Sequence, residues 1–418
     1  MSKFYKGKTS KLIDLCESIT DCHHSTPKWT NEGKIVIRNF NIKNGKLLLD
    51  EVSYTDEDAY QERISRNQPY PGDLIITREA PMGEVCIIPD GVECCLGQRL
   101  VLIKPNLNKI NNKYLLYALL CEYTQKQIKQ SNNTGSIVSN LRIPLLKNLD
   151  IPLNNNQDKI ASILSSLDDK IELNNRINSE LENLAKTIYD YWFVQFDFPD
   201  ENGKPYKSSG GKMVYDQDLK REIPAVWEVK LLGEVLTIVR GSSPRPIDNF
   251  LSDNGLPWIK ISDATSSNNR FIFETKQFIL EEGIPYTRHI PPDTLILSNS
   301  ATPGLPRIVK ISAGVHDGWL IIMNYKKGLT QEFMYHYFSF EQRRVVSFGS
   351  GSIFKNLKTD YIKNLKIALP AKLILEKVSP KFKEISELIS IKSQENQQLT
   401  QLRDWLLPML MNGQITVK

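Results

Sequence analysis

The sequence predicts an α+β protein made of two similar globular domains, each followed by a long helix. A block in the middle of the chain recurs near its end: Thr134-Gly135-Ser136-Ile137 to Leu149 reads again as Ser350-Gly351-Ser352-Ile353 to Leu365. The matched positions keep one offset, since 351 − 135, 356 − 140 and 365 − 149 all equal 216. A long unit used only twice is not a solenoid of short repeats. It predicts two domains related by a pseudo-two-fold axis, suited to contact two separated places on one partner.

The length of the chain supports this division. A chain of 418 residues is too long for one core and fits two domains with connectors. We predict a first domain at 1–155, a first helical region at 156–196, a connector at 197–225, a second domain at 226–370 and a second helical region at 371–418. No stretch approaches the ~20 apolar residues of a membrane span. We therefore expect a soluble cytoplasmic protein.

Short apolar runs broken by turn residues predict the strands of a curled sheet in each domain. In the first domain these runs are 34–38, 72–77, 84–88 and 100–103, followed by one helix at about 112–130. In the second they are 256–260, 293–297, 307–310 and 319–323, followed by a helix near 331–344. The loops between the matched runs diverge, as 80–84 and 301–305 show. We expect one scaffold used twice, with different surfaces that recognise different things.

The segment between the first helical region and the second domain differs in kind. Residues 199–205 and 208–211 are turn formers without an apolar period. We therefore predict an irregular connector there.

The two helical regions carry matched heptads at an offset of 218. The first has Ile160, Leu167, Asn174, Leu181 and Ile188 at a, and Leu164, Ile171, Asn178, Ala185 and Trp192 at d. The second has Val378, Ile385, Lys392, Leu399 and Leu406 at a, and Phe382, Ile389, Asn396, Arg403 and Leu410 at d. Both become polar at mid-length, so an antiparallel coiled coil would bring Asn174 and Asn178 to Lys392 and Asn396 and fix the register. A zipper between two chains is the alternative, but two matched helices in one chain favour an intramolecular pair.

Motifs for catalysis and cofactor binding are mostly missing. The chain has neither a phosphate-binding G-x-x-x-x-G-K-[ST] loop nor a G-x-G-x-x-G turn, and it lacks the Asn-Pro-Pro-aromatic tetrapeptide of adenine methylation. The five histidines at 23, 24, 289, 316 and 336 show no spacing that pairs one with a nucleophile. We expect no bound ATP or S-adenosylmethionine on this chain.

Two weaker patterns concern metals. Cys22-His23-His24 with Cys94-Cys95 offers soft ligands, but neighbours on a strand point to opposite faces and can hardly converge. Asp200, Asp218 and Lys220 have the residue types of a metal-dependent nuclease, yet Asp200 opens the connector rather than a strand. We predict no metal site and keep the nuclease as an alternative.

What remains is binding chemistry in the turn-rich loops. Arginine reads guanine and asparagine reads adenine in the major groove, while serine, threonine and lysine hold phosphates. Any one such residue also suits an ordinary solvated loop, so the interpretation depends on the set. The candidate DNA-binding residues are Lys28, Arg38, Asn39, Thr77, Arg78, Asn132 and Asn133 in the first domain, and Arg240, Ser242, Ser243, Arg245, Lys260, Ser298, Asn299, Ser350 and Ser352 in the second. The net charge of +5 is by itself only weak support.

The arrangement resembles the specificity subunit of type I restriction-modification enzymes over nearly the whole chain. The resemblance includes the Gly-Ser-Ile, Asn-Leu and Ile-Pro-Leu run from Gly135 to Leu153, and the entry into the second domain at 198–215 and 223–229. It also includes the closing segment Leu406 to Gly413. The chain departs from the pattern at Ala368-Leu369-Pro370, and at Lys392 and Arg403, which weaken the second helix as a free-standing coiled coil.

The resemblance implies a non-catalytic DNA-recognition subunit in a prokaryotic cytoplasm. Each target recognition domain would read one half of a split, asymmetric site in double-stranded DNA, and the helices would set the gap. Two methyltransferase subunits carrying S-adenosylmethionine would dock on the helices, and restriction subunits with ATP and Mg²⁺ would cleave unmodified DNA. This chain would hold no cofactor. A homodimeric coiled-coil DNA-binding scaffold is the alternative.

Overall fold

The computed structural model describes residues 7–131, 140–265, 269–300, 302–347 and 358–417, apart from the side chains of 344–347. The chain forms two compact units, 1–172 with 397–418, and 173–396. Each unit contains one α+β domain and part of each long helix, which confirms the predicted fold class. In the described part of the chain, no helix is long and apolar enough to cross a membrane.

The first domain is a set of short strands packed with short helices. Its strands are β1 (Thr9–Lys11), β2 (Cys16–Asp21), β3 (Trp29–Thr30), β4 (Lys34–Ile37), β5 (Ile42–Lys43), β6 (Lys46–Leu47), β7 (Ser53–Thr55), β8 (Leu74–Thr77), β9 (Val85–Ile87), β10 (Cys94–Leu96), β11 (Leu100–Pro105) and β12 (Asp150–Pro152). Its helices are α1 (Glu57–Ile64), α2 (Asn112–Leu120), α3 (Glu122–Gln130) and α4 (Ile143–Lys147), and the long helix α5 (Gln157–Tyr189) follows.

Two four-stranded sheets form the centre of this domain, in the orders β2-β11-β8-β9 and β10-β4-β7-β3. Strand β8 is buried on both faces, because its side chains alternate between two cores. Leu74 and Ile76 pack in the core that contains Leu115 of α2, and Ile75 packs with Ile37 of the other sheet. The strand ends therefore carry their loops on a rigid support.

The second domain repeats this plan. After the connector hairpin of β13 (Met213–Asp216) and β14 (Arg221–Pro224), its strands are β15 (Glu228–Leu231), β16 (Thr237–Arg240), β17 (Leu251–Ser252), β18 (Leu256–Ile259), β19 (Phe271–Ile272), β20 (Phe278–Ile279), β21 (Arg288–Ile290), β22 (Thr294–Ser298), β23 (Pro306–Val309), β24 (Ala313–Val315), β25 (Trp319–Met323) and β26 (Lys366–Leu369). Its helices are α6 (Leu232–Val235), α7 (Ile261–Thr265), α8 (Gln331–Ser347) and α9 (Thr359–Lys363), and the long helix α10 (Lys372–Met411) follows.

The sheets of the two domains share their main pairings. The orders in the second domain are β16-β25-β22-β23-β19 and β17-β20-β18-β24-β21. The parallel pair β4 and β10 matches the parallel pair β18 and β24. Each domain also pairs its first strand with the strand before its long helix, as β1 with β12 and β15 with β26.

The repeated leucine at the end of the sequence block has the same role in both domains. The backbone N–H of Leu12 donates to the carbonyl of Leu149 at 2.9 Å, and that of Leu232 donates to the carbonyl of Leu365 at 2.8 Å. Two residues further on, Ile151 and Ile367, which are also 216 positions apart, are buried in their respective domains. The offset of 216 thus marks one structural position occupied twice.

Two sequence-based expectations for this fold were wrong in detail. The single helix expected at 112–130 is two helices, α2 and α3, because Cys121 between them has an extended backbone with φ −63° and ψ 151°. The connector is not wholly irregular, since β13 and β14 pair from Met213 opposite Pro224 to Asp216 opposite Arg221. The rings of Phe198 and Tyr206 also stack, with centroids 4.7 Å apart.

The long helices pair antiparallel within each unit. In the first unit Ile160 and Leu164 share a buried cluster with Leu410 and Met411. In the second unit Ala185 shares one with residues near the start of α10, Val378, Phe382 and Ile385. Hydrogen bonds join Asp168 to Arg403 in the first unit, and Asn174 to Asn396 and Asn178 to Ser393 in the second. Rising numbers on α5 therefore meet falling numbers on α10 in each unit.

The polar middle of the helix pair lies in the second unit. Asn174 is fully buried, and its Nδ2 donates to Oδ1 of Asn396 at 2.9 Å and to Oε2 of Glu395 at 3.0 Å. Asn178 donates to the hydroxyl of Ser393 at 3.3 Å. Lys392 donates to the Glu395 carboxylate at 3.0 Å, so its charge is matched within α10.

Candidate nucleic-acid interface

The described binding candidates of the first domain stand at the ends of β3, β4 and β8, where loops begin. Arg38 follows β4, and its guanidinium lies over two exposed rings, 5.1 Å from the centroid of Trp29 and 4.9 Å from that of Phe40. These rings are 45% and 50% exposed. Cation–π contacts with two rings restrict the orientation of this guanidinium.

Lys28 precedes β3 and Asn39 follows β4. Lys28 is exposed and its ammonium lies 2.6 Å from Oδ2 of Asp56, which raises the pKa of the lysine through that hydrogen bond. The side-chain amide of Asn39 donates to the backbone carbonyl of Glu79. Both side chains are therefore already engaged by neighbouring protein groups.

Thr77 and Arg78 build the loop after β8. The Thr77 hydroxyl donates to the Pro81 carbonyl at 2.5 Å and accepts from the Glu84 N–H at 3.0 Å. The guanidinium of Arg78 is 13% exposed and binds both carboxylate oxygens of Asp21, at 3.0 and 2.8 Å. These two residues hold the loop in shape rather than extend from it.

In the second domain several candidate side chains meet at one aspartate, which sequence reasoning missed. Asp317, between β24 and β25, accepts from Ser243 at Oδ1 (3.1 Å) and from Arg245 at Oδ2 (3.2 Å). Its backbone carbonyl accepts from Nε of Arg240 at 2.7 Å and from Nδ2 of Asn299 at 3.0 Å. Four of the candidate DNA-binding residues, from two loops, are thus brought together at the loop between β24 and β25.

His316 completes this cluster. Its Nε2 lies 3.1 Å from Oδ1 of Asp317, and its Nδ1 accepts from the Gly318 N–H at 2.8 Å. Burial lowers the pKa of His316 more than Asp317 raises it, so the ring is neutral near pH 7. For Asp317, burial raises the pKa, but His316, Ser243, Arg245 and Arg240 together lower it. The carboxylate therefore stays ionised.

Gly241 allows this cluster to form. A Cβ atom added to Gly241 would lie 2.3 Å from the carbonyl oxygen of His316 and 2.6 Å from that of Val315. Only glycine permits the two backbones to approach so closely.

The remaining predicted residues of the second domain have mainly local contacts. The Ser298 hydroxyl donates to the Thr302 carbonyl and accepts from the Leu305 N–H at 2.9 Å, the same loop closure that Thr77 makes. Ser242 uses its backbone, since its N–H donates to the Val315 carbonyl at 2.9 Å. The Lys260 N–H donates to Asp263 at 2.8 Å where α7 begins. Asn132, Asn133, Ser350 and Ser352 lie outside the described residues.

The acidic residues that bind the candidate side chains were not predicted from the sequence. Asp21 and Asp317 hold arginines, and Glu79 lies 3.1 Å from Arg99 and accepts from Asn140 at 2.7 Å. The sequence gave no separate signal for these acidic residues, because the pairs join residues 20 to 72 positions apart. Short-range spacing cannot reveal such pairs.

The groups considered for metal chemistry are engaged elsewhere. Asp200 accepts from the N–H groups of Asn202 and Lys204, both at 2.8 Å, and Asp218 pairs with Lys366 at 2.5 Å. Cys94 and Cys95 pack in two different buried clusters, and burial raises their pKa values to about 12 and about 11. No group of three or more His, Cys, Asp or Glu that could hold a metal occurs among the described residues.

One histidine does approach a hydroxyl, against expectation. Nε2 of His289 lies 2.7 Å from Oγ of Ser312, on the exposed face of β21. Among the described residues no hydrogen bond joins an acid to this imidazole, so the group that orients a catalytic base is missing.

The fold and its loops define a protein with two copies of one binding domain carried on paired helices. A sequence model of the family described as "Type I restriction modification DNA specificity domain" matches residues 6–183 and again 224–401. The chain belongs to this family, and it is a specificity subunit of a type I restriction-modification system with two recognition domains.

Individual relatives agree along the whole chain. The putative type I restriction enzyme MjaX specificity subunit of Methanocaldococcus jannaschii is 28% identical and covers 98% of this chain and 93% of its own. The HindI specificity subunit of Haemophilus influenzae is 25% identical and covers 91% and 94%. The crystal structure of an S subunit from M. genitalium has a TM-score of 0.62 at 17% identity and covers 98% and 97%. The last similarity shows the fold alone.

Proposed function

We propose that each domain reads one half of a split DNA target through the loops at its strand ends, and that the helix pair fixes the gap between the halves. The observation that carries this proposal is the convergence of Arg240, Ser243, Arg245 and Asn299 on Asp317. Such a cluster supplies both base-reading and phosphate-holding groups at the ends of paired strands. The different groups of the first domain, with Arg38 between Trp29 and Phe40, favour a different half-site.

This chain recognises the DNA sequence, and its partner subunits carry out methylation and cleavage. Two methyltransferase subunits with S-adenosylmethionine dock on the helices, and restriction subunits with ATP and Mg²⁺ join them. Large apolar side chains exposed on these helices support docking there: Leu184 is 50%, Ile391 57% and Trp405 53% exposed. Such side chains on an otherwise charged helix are typical of protein interfaces. Because the target is cellular DNA, the complex works in the prokaryotic cytoplasm.

The test is single-molecule sequencing of adenine methylation in cells that express this chain with its cognate methyltransferase subunit. The same measurement is made with residues 226–370 replaced by the second domain of another family member. We expect a split motif, of which only one half changes on exchange. A motif that ignores the exchange, or no methylation by an intact complex, would overturn the assignment of the two domains as independent readers.

A further inference from the structure

Arg245 differs from the other basic groups of the second-domain cluster in its exposure and its tether. Its side chain is 70% exposed, and one hydrogen bond joins it to the protein, from Nη2 to Oδ2 of Asp317 at 3.2 Å. In the part of the chain that the structure describes, no other protein group accepts a hydrogen bond from its guanidinium. The guanidinium is thus held at one corner and open along the rest of its edge.

The carboxylate that holds Arg245 is itself fixed. Oδ1 of Asp317 faces both the Ser243 hydroxyl and Nε2 of His316, each at 3.1 Å. The imidazole is oriented in turn by the Gly318 N–H, which donates to Nδ1 at 2.8 Å. Since Asp317 cannot rotate without breaking these contacts, Arg245 loses little further freedom when it binds a ligand.

The neighbouring carboxylate also selects the ligand. A phosphate brought to Arg245 would place a second anion next to Asp317, and like charges at such distances repel. The O6 and N7 atoms of guanine are neutral acceptors, and the paired cytosine presents an N4 amino donor in the same groove. An arginine fork beside a carboxylate therefore suits a G·C pair better than a phosphate or an adenine, whose N6 group is a donor.

We propose that Arg245, positioned by Asp317, reads a guanine in the half-site of the second domain. This inference deepens the proposed function and rests on it. Arg240 has a different role, because its Nε is bound to the Asp317 backbone carbonyl and its Nη2 lies farther from the carboxylate, at 3.8 Å. Since the Nε of Arg240 is already occupied, we assign this residue a general electrostatic attraction for DNA rather than a base contact.

The experiment determines the methylated motif of the full chain with its methyltransferase subunits, first for the wild type and then for Arg245→Ala and Arg245→Lys. The wild-type half-site of the second domain should contain a guanine on one strand. Arg245→Ala should relax that one position, with about a 5- to 150-fold loss of discrimination, as expected for one bidentate contact. Arg245→Lys keeps the charge but not the fork, and it should relax the same position.

The matched control is Lys230→Ala, which removes one positive charge from β15, a strand that pairs with β26 and not with the strands of the cluster. This control should leave both half-sites unchanged. If Arg245→Ala abolishes methylation, the preference for guanine is measured instead by competition binding of the Arg245→Lys complex to duplexes with each base at that position. Loss of this preference supports the inference, and an unchanged preference overturns it. A split wild-type motif that Arg245 variants leave intact overturns this inference alone. Failure of the wild type to show a split motif overturns the proposed function.

Asp317 is tested as a positioning residue by Asp317→Asn. The variant should lose discrimination at the position that Arg245→Ala relaxes, while the other half-site stays unchanged. In the Arg245→Ala background, Asp317→Asn should have no further effect there, because both changes remove one coupled contact. Additive losses, or a loss spread over both half-sites, would show that Asp317 only supports the fold.

Discussion

Arg403 donates a hydrogen bond from Nη1 to Oδ1 of Asp168 at 2.8 Å, and the Tyr117 hydroxyl donates to the other carboxylate oxygen at 2.6 Å. Asp168 thus joins α2 of the first domain to both long helices. From the heptad pattern we expected Arg403 to weaken the second helix. In the helix pair its charge is matched by the carboxylate of Asp168 on α5, so this polar position favours pairing of α10 with α5.

Replacing Arg403 should therefore destabilise the first unit. Arg403→Met leaves Asp168 without its cation in a site where both side chains are only 21% exposed. We expect a loss of about 1–3 kcal/mol in the free energy of unfolding, measured by urea denaturation. The control is Lys383→Ala, whose pair with Glu387 is 68% and 61% exposed and should change stability by less than about 0.5 kcal/mol. Equal effects of both changes would contradict the structural role of Asp168.

The buried asparagine pair predicts a non-additive result. Asn174→Leu alone removes the donor from Oδ1 of Asn396, whose Nδ2 still donates to Asn175 at 2.8 Å, and should cost about 1–3 kcal/mol of stability. Asn174→Leu with Asn396→Leu replaces the pair by an apolar contact and should regain much of that loss. Thermal or urea unfolding of the two single variants and the double variant measures this coupling. Simple addition of the two single losses would argue against the pair as a register device.

Arg240→Ala should weaken DNA binding without changing which sequence is preferred. The attraction of this charge for the DNA backbone is the same for every sequence, so the slope of log affinity against log salt should fall by up to about 1. Fluorescence anisotropy over a salt series, with target and unrelated duplexes, gives both quantities. A change of base preference with an unchanged salt slope would instead make Arg240 a base reader.

His336 should make the protein sensitive to acid. Burial, together with the charges of Arg270 and Arg343, holds its pKa well below 6.5 in the folded protein. Above pH 6.5 the imidazole is neutral in both states and has no effect. Below pH 6.5 the unfolded chain binds a proton that the folded protein does not, so stability falls by up to about 1.4 kcal/mol per pH unit.

The variant His336→Phe tests this pH dependence, since the imidazole already packs against Phe382 with centroids 4.6 Å apart. Denaturation at pH 7.5 and 5.5 should show a smaller loss for the variant than for the wild type. Equal losses would mean that other groups carry the acid sensitivity.

Trp405 provides a test of partner docking. Trp405→Asp places a charge on an exposed part of α10, so the fold should persist while binding of the methyltransferase subunit weakens at least tenfold. Size-exclusion chromatography with the purified subunit measures this loss. Lys377→Asp, also on α10, is the control for added negative charge. Unchanged complex formation by Trp405→Asp would place the docking surface elsewhere.

Local patterns predicted the framework well, because apolar runs and heptads report burial directly. Strand β25 was expected at 319–323 and lies there, and Val378 and Phe382 at a and d positions are fully buried. The break at Cys121 was missed, since helical spacing continues across it. The hairpin β13–β14 was hidden by the turn formers before it.

The sites were less predictable for a physical reason. Thr77 and Ser298 have the residue types of phosphate contacts, yet both close loops with backbone partners. Asp317 gave no signal in the sequence, yet it gathers arginines from positions 72 to 77 residues away. Hydroxyls and carboxylates bind what the fold brings near them, and only the three-dimensional arrangement supplies that information.

The pairing of β1 with β12 and of β15 with β26 means that each domain begins and ends on neighbouring strands, with Thr9 opposite Pro152 and Glu228 opposite Leu369. The chain therefore enters and leaves each domain on two adjacent strands, the second of which leads into the long helix. Recombination within these two strands would replace the whole domain between them and keep the backbone hydrogen bonds that pair the strands. A new target specificity can then arise by exchange of one domain, without any change in the helices or in the strand pairing.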